Sequence, residues 1–294
     1  QTMTVAQRLH ESGHITYMRT DSTTLSGLAI HAAEDYITKT FGANYYKRRQ
    51  FKTKNSSAQE AHEAIRPTQL SKQSAGADDA QKRLYKLIWE RTVASQMAEA
   101  AIERTEVTIA TPDVKEAFIA KGEVLRFDGF MKVYGGTKDD TILPAVSVGQ
   151  SVIRQSISAT QTFGRAPARY SEAALVKKLE ELGIGRPSTY APTISTIQTR
   201  GYVEKSDLTG TERTITELLL ENTDITESER TITVGADRGK LVPTHIAEVT
   251  TDFLVKHFPS IVDYDFTAKV EAGFDDIAEG GQQWQAMIAD FYKD

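Results

Sequence analysis

The feature that most constrains the fold is a change of pattern in the middle of the chain. Residues 105–163 carry short β-branched and aromatic runs, such as Val107-Thr108-Ile109, separated by glycines such as Gly122 and Gly149. Runs of this kind between glycines are typical of short strands. On both sides of this stretch, apolar residues recur at the spacing of amphipathic helices. The sequence therefore predicts a multi-domain α+β protein in which a small β-rich domain lies between two mainly helical ones.

These patterns place the domain boundaries at about residues 103 and 168. We expect a helical domain at 1–103, a β-rich domain at 104–168, and a second helical domain at 169–294 with a β insertion at about 203–238.

The second helical domain begins with a pattern of its own. One helix is predicted from Ser171 to Gly183 and another from near Ser188 to Gly201, followed by a strand at Tyr202-Val203-Glu204. A helix, a glycine-containing turn, a second helix and a strand are typical of a winged helix-turn-helix. Helix pairs of this length are also common in cores that bind nothing.

Composition excludes several classes of protein. With 39% hydrophobic and 26% charged residues the chain has an ordinary globular composition, and it has no cysteine for a disulfide or a cysteine-bound zinc. No run of about 20 apolar residues predicts a transmembrane helix. The net charge of −5 argues against a uniformly basic surface, but residues 165–205 carry seven Lys or Arg against four Glu, a local charge of +3.

A tyrosine precedes an arginine in Ile15-Thr16-Tyr17-Met18-Arg19-Thr20-Asp21-Ser22. We interpret this run as a strand, in which Tyr17 and Arg19 project from one face, followed by a helix that Asp21, Ser22 or Thr23 caps. A phenol can attack phosphorus once its anion is stabilised, and a guanidinium matches phosphate oxygens. On spacing alone, a half-buried strand with an exposed arginine is the better interpretation.

Two other stretches combine helix signals with groups that bind phosphate. The first is Ser57-Ala58-Gln59-Glu60-Ala61-His62-Glu63-Ala64-Ile65-Arg66-Pro67-Thr68, in which a short helix is predicted from Gln59 to Ile65. The second is Leu182-Gly183-Ile184-Gly185-Arg186-Pro187-Ser188-Thr189-Tyr190-Ala191, which opens a helix whose N-terminal N–H groups suit a phosphate. A helix cap explains its Ser and Thr but not its Arg.

The three stretches, in this order, resemble the signature motifs of type IA DNA topoisomerases. Asp263-Tyr264-Asp265-Phe266-Thr267-Ala268 is similar to a fourth, weaker block, so that the resemblance covers most of the chain. Met18 is typical of the bacterial topoisomerase I branch. The resemblance implies mainly helical domains, CAP-like or winged-helix, joined by a β-rich arch of which only the return crossing lies in this chain.

The resemblance also implies catalytic roles. Tyr17 attacks one DNA strand and forms a 5′-phosphotyrosine bond, Arg19 holds the scissile phosphate, and His62 lies near that phosphate as a donor or proton relay. The phosphotyrosine bond retains the energy of the cleaved DNA bond, so strand passage and religation relax negative supercoils without ATP. The expected single-strand DNA groove comprises the hydroxyl and basic residues Arg169, Lys177, Arg186, Ser188, Thr189 and Arg200.

The cofactor and partners follow from the same resemblance. Type IA enzymes bind Mg²⁺ in an acidic toprim domain that precedes the tyrosine segment, and we find no such cluster in this sequence. We expect the parent enzyme to hold Mg²⁺ outside this chain and no metal within it. We interpret the chain, which starts at Gln1, as an inactive piece of a longer monomeric enzyme that acts on single-stranded or underwound DNA in the bacterial cytoplasm, at the nucleoid and without membrane contact.

Two alternatives belong to other classes. A non-catalytic winged-helix module that binds single-stranded DNA explains residues 171–205, and it predicts that Tyr17→Phe changes nothing measurable. A tyrosine recombinase has several dispersed Arg and His residues and a tyrosine near its C-terminus, a pattern that this sequence does not match.

Overall fold

The computed structural model describes residues 1–51, 62–112, 114–136 and 139–292. The chain divides into two compact units, residues 1–148 and residues 149–294. Each unit contains both helices and strands, which confirms the α+β class. The boundary between the units falls inside the predicted β-rich segment 104–168, and the division into three domains stays a prediction.

Among its described residues, the first unit contains the α-helices α1 (Thr2–Glu11), α2 (Gly27–Phe41) and α3 (Asp79–Ser95). The Ser26 side chain caps α2 by accepting from the Ala29 N–H, so the prediction that Asp21, Ser22 or Thr23 caps this helix is wrong. Asp78 caps α3 in the same way, through the Gln81 N–H. In both cases a short polar side chain satisfies a helix N–H that has no intrahelical partner.

An apolar core lies between these helices. Its most deeply buried side chains include Leu9, Ile15, Ile37, Tyr85, Val93 and Met97. Two of its buried aromatics have satisfied polar atoms, since Tyr85 Oη donates to the Lys72 carbonyl at 2.6 Å and Trp89 Nε1 to the Leu70 carbonyl at 2.8 Å. Ile15 belongs to the predicted tyrosine motif, so this motif is anchored in the core.

An antiparallel hairpin, β1 (Ala101–Ala110) and β2 (Ala117–Phe127), follows α3. A 3₁₀ turn at Gly129–Tyr134 then returns the chain to the end of α3, where the Phe130 N–H donates to the Ala98 carbonyl at 2.9 Å. Gly129 has φ +49°, and a Cβ there would lie 2.5 Å from the Glu99 carbonyl oxygen. The close approach therefore requires glycine.

The second unit begins its helical part with α4 (Glu172–Glu181) and α5 (Tyr190–Thr199), followed by β4 (Val203–Leu208). Strand β4 pairs antiparallel with β7 (Asp237–Pro243). The predicted order of helix, turn, helix and strand is confirmed, with Ser171 capping α4 through the Ala174 N–H.

A second sheet in this unit has the order β3-β5-β6, from β3 (Ser156–Thr160), β5 (Thr211–Glu221) and β6 (Asp224–Val234). Asn222, at φ +51°, makes the tight turn between β5 and β6. Strand β3 comes from the predicted middle domain and pairs with a strand of the predicted insertion.

After β7, the described residues up to 292 form the helices α6 (His245–His257), α7 (Pro259–Val262), α8 (Tyr264–Ala278) and α9 (Trp284–Phe291). Among the described residues, none of the helices has the length and apolar character that crossing a bilayer requires.

Candidate active site and candidate nucleic-acid interface

A glycine turn directs the tyrosine segment back along the end of α1. The Gly13 N–H donates to the His10 carbonyl at 2.8 Å and the His14 N–H to the Leu9 carbonyl at 2.9 Å, while Gly13 takes φ +69°. This is the left-handed conformation with which many helices end. The turn places Ile15 so that its carbonyl oxygen lies 3.2 Å from His10 Nδ1.

The predicted strand around Tyr17 is wrong. Only an isolated bridge, between Ile15 and Pro67, occurs in the segment, so the alternation of a strand does not apply to Tyr17 and Arg19. Met18 is buried, Tyr17 is half-buried against the core, and Arg19 is exposed. The hydrogen bonds that hold this segment go to a distant part of the chain rather than to a sheet.

Thr16 joins the first and second motifs. Its Oγ1 accepts from the Arg66 N–H at 2.9 Å and donates to the Ala64 carbonyl at 2.9 Å, and its own N–H donates to the Arg66 carbonyl at 2.9 Å. Next to it, the Thr68 N–H donates to the His14 carbonyl at 3.0 Å. These bonds set residues 64–68 alongside the tyrosine segment.

His62 lies beside Tyr17 as a result. The two ring centroids are 4.9 Å apart with an interplanar angle of 43°. The predicted helix from Gln59 to Ile65 is not confirmed: residues 59–61 lie outside the described residues, and residues 62–65 are not helical. His62 is exposed, so an imidazole adjoins the Tyr17 phenol on the solvent side of the unit.

An ion pair between Glu63 and Arg66 holds the second motif against the start of α2. Glu63 receives two hydrogen bonds from Arg66, at 2.6 and 3.0 Å, and its Oε2 accepts from the Ser26 N–H at 3.2 Å. Partial burial alone would raise the pKa of Glu63, but the hydrogen bonds from Arg66 and Ser26 outweigh it and lower that pKa. The position of His62 therefore depends on an ion pair one residue away.

The third motif is organised around Arg186. The Thr189 side chain accepts from the Arg186 N–H at 2.9 Å and donates to its carbonyl at 3.1 Å. The Arg186 guanidinium makes two ion pairs with α8, to Glu271 at 2.6 Å and to Asp275 at 2.9 Å. This arginine thus joins the turn before α5 to α8, and a phosphate that bound it would meet two carboxylates.

The other predicted groove residues lie in the same unit and are exposed. Ser188 lies in the turn before α5, and Arg200 is the C-terminal cap of α5. Lys177, on α4, is 3.8 Å from Glu181. Arg169 lines a mainly apolar pocket of about 260 Å³ with Ala168, Tyr170, Leu175, Val203, Leu241 and Pro243. The DNA-binding role of all these residues stays a prediction.

A metal ion would need a cluster of suitable ligands. In the part of the chain that the structure describes, no group of three or more His, Cys, Asp or Glu residues could hold one. The described residues therefore do not fit a resident Mg²⁺.

Comparison with known proteins decides the family. A family model described as "DNA topoisomerase" matches residues 1–234. The chain belongs to the DNA topoisomerase family. The relatives named below place it in the bacterial type IA topoisomerase I branch.

Relatives of the topoisomerase chain cover nearly all of it. It is 42% identical to a "DNA topoisomerase 1 type prokaryotic" of Acanthamoeba polyphaga mimivirus, over 99% of this chain and 37% of the relative. It is 40% identical to a DNA topoisomerase 1 of Vibrio cholerae, over 100% of this chain and 30% of the relative. The full-length topoisomerase I structure from Thermotoga maritima superposes with a TM-score of 0.74 at 33% identity, over 99% of this chain and 44% of that one. The chain thus spans less than half the length of each.

Sequence reasoning on this topoisomerase chain missed two residues of the site. His10 packs edge-on against Tyr17, with ring centroids 5.5 Å apart at an angle of 70°, and Thr16 joins the motifs. A signal for His10 was present in the sequence, because Gly13 follows the residues of α1 and a glycine at that place turns the chain back over the end of a helix. For Thr16 we see no local signal, since both of its side-chain partners lie on a distant segment.

Proposed function

We propose that this chain carries the nucleophile and part of the single-strand DNA path of a type IA DNA topoisomerase. The parent enzyme cuts one strand, passes another through the gap, reseals the first, and so relaxes negatively supercoiled DNA without ATP. It acts on single-stranded or underwound DNA as a monomer in the bacterial cytoplasm, at the nucleoid. The proposal includes a division into three domains, 1–103, 104–168 and 169–294. The β-rich domain 104–168 acts as a hinge.

The contact between Tyr17 and His62 carries the proposal. Three hydrogen bonds at Thr16 and the pairing of Ile15 with Pro67 bring two motifs, more than 40 residues apart in sequence, to one place. A phenol beside an exposed imidazole is suited to a transesterification, because the imidazole can hold or pass on a proton near the phosphate.

The proposed cleavage exchanges one phosphate ester bond for another, with the DNA strand and Tyr17 as its reactants. The Tyr17 oxygen forms a bond to phosphorus and gives up its proton, while the bond from phosphorus to the 3′ oxygen breaks and that oxygen gains a proton. The products are a 5′-phosphotyrosine and a free 3′ hydroxyl, and the reverse reaction reseals the strand. Arg19, which is exposed and lies two residues after Tyr17 in the sequence, is assigned to the scissile phosphate and its developing charge.

The second unit is assigned to the binding of single-stranded DNA. Arg200, Ser188, Lys177 and Arg169 are exposed and lie on or next to α4 and α5. Arg186 and Thr189 shape the turn before α5 and contact DNA at that turn. Mg²⁺ is assigned to a toprim domain outside this chain, where it would assist phosphate chemistry.

Covalent trapping on a labelled single-stranded oligonucleotide tests the proposal. The chain is assayed with Mg²⁺ alone and with a relative's toprim domain supplied in trans, a mixture called the complemented chain below. We expect an adduct with the complemented chain that Tyr17→Phe abolishes, with Tyr36→Phe on α2 as the matched control. An adduct that survives Tyr17→Phe would refute the nucleophile. If the chain binds the oligonucleotide but no mixture forms an adduct, and if the complemented chain also fails to relax supercoiled DNA, the non-catalytic DNA-binding module would be favoured.

A further inference from the structure

His10 packs against the ring of Tyr17, and the proposed chemistry gives it no role. It lies in the last turn of α1 and is half-buried. Its ring centroid is 5.5 Å from that of Tyr17, at an interplanar angle of 70°. Tyr17 thus has two imidazole neighbours, of which His62 belongs to a signature motif and His10 does not.

The backbone fixes the orientation of the His10 ring. The Gly13 turn brings the Ile15 carbonyl oxygen to 3.2 Å from Nδ1. A carbonyl oxygen only accepts, so this contact places the proton of a neutral imidazole on Nδ1 and leaves Nε2 without one. Leu9, the preceding residue, is fully buried, and it anchors the end of α1 in the core. His10 is therefore held both by its own hydrogen bond and by its helix.

The Tyr17 ring needs such a restraint. Its segment forms no strand beyond the bridge at Ile15, and the hydrogen bonds of Thr16 hold the backbone rather than the ring. Two aromatic neighbours, one edge-on and one tilted, limit the directions that the phenol can take. A nucleophile that is already oriented loses less entropy when it reaches the phosphorus.

We infer that His10 is a positioning residue for Tyr17, an edge-on imidazole support that holds the phenol in line for attack on the phosphate and for resealing. The inference rests on the proposed function. It predicts an effect on the covalent steps and none on DNA affinity, because His10 contacts the nucleophile's ring and is assigned no contact with the phosphate.

Rapid-quench kinetics of the complemented chain on a saturating labelled oligonucleotide test this role. His10→Ala should slow both adduct formation and resealing by about 10- to 100-fold, the range that small misplacements cause. His10→Phe, which keeps a ring edge, should recover most of the lost rate. His14→Ala is the matched control, because His14 lies in the same turn but its ring is 6.3 Å from that of Tyr85, not beside Tyr17. Its rates should stay at the wild-type value. Oligonucleotide affinity, measured in a Tyr17→Phe background, should be the same for all three variants.

Each contrary result has a distinct meaning. Wild-type rates in His10→Ala would overturn the positioning role while leaving the Tyr17 adduct, and hence the proposed function, intact. If His10→Ala lowers the rates, the DNA affinity and the thermal midpoint together, and His10→Phe recovers none of them, His10 has a structural role only. This result would also overturn the positioning role. No Tyr17-dependent adduct in the wild type would refute the proposed function and this inference with it.

Discussion

At the residue scale, side-chain hydrogen bonds to the backbone determine where Tyr17 lies. Thr16 makes both of its side-chain bonds to the 64–66 segment, and Glu63 fixes that segment to the start of α2 through Ser26. Partly buried groups of this kind cost more when one partner is lost than they contribute when paired, because the remaining partner stays desolvated.

Replacing Glu63 tests this link through its pH dependence. The pKa of Glu63 is lowered from 4.5 in the folded chain, so its carboxylate stabilises the fold above that value and loses this effect as pH falls through the lower, folded pKa. We expect Glu63→Gln to reduce the free energy of unfolding by about 1–3 kcal/mol at neutral pH. The difference from wild type should shrink as the solution is made more acidic than pH 4.5.

Urea unfolding at a series of pH values measures this difference. Glu11→Gln, at an exposed position at the end of α1, is the control and should change stability by less than about 0.5 kcal/mol. A Glu63→Gln deficit that does not depend on pH would contradict the assignment of the stabilisation to the ionised pair.

At the scale of the elements, the join between α3 and the β1–β2 hairpin is held by contacts that leave no space for a side chain. Tyr45 Oη donates to Asp128 at 2.6 Å, and Gly129 lies against the backbone of residues 98 and 99. If the hairpin belongs to a hinge, this join determines where bending begins.

Gly129→Ala tests how tightly the join is packed. The new Cβ would meet the Glu99 carbonyl oxygen at 2.5 Å and would also require a left-handed backbone at φ +49°. We expect a loss of at least about 2 kcal/mol in the free energy of unfolding. Gly135→Ala is the matched control, because φ is +68° but nothing lies within 4 Å of its Cβ. It should cost about 1 kcal/mol, and equal costs at both positions would show that the backbone conformation alone matters.

At the scale of the whole molecule, a net charge of −5 means that the proposed DNA binding depends on local basic groups. Those basic groups differ in how far neighbouring carboxylates already neutralise their charge. Arg186 is paired with Glu271 and Asp275, and Lys177 lies near Glu181, whereas Arg200 is exposed at the end of α5. Binding should therefore depend on the exposed arginine more than on the paired one.

The salt dependence of single-strand affinity measures this difference. Affinity should fall steeply with salt, and Arg200→Ala should reduce the slope of log K against log salt by about 0.7, the value for one phosphate of a single strand. Arg186→Ala should reduce it by less. Arg230→Ala, on β6 and paired with Glu217, is the control and should leave the slope unchanged. An affinity that does not vary with salt would count against a groove in this unit.

Local sequence signals predict several elements of the second unit. Ser171 before an apolar repeat, Gly183 after it, and Asn222 between two β-rich runs act within a few residues, so α4 and the β5–β6 hairpin could be predicted. The family could be predicted too, because long motifs keep their residue types and order. The arrangement of the candidate site could not. Tyr17 was expected on a strand and His62 on a helix, and neither is there. Only the tertiary structure places them together, because the bonds that do so, from Thr16 to Arg66 and Ala64, join segments about 50 residues apart, and a local pattern carries no record of a partner at that distance.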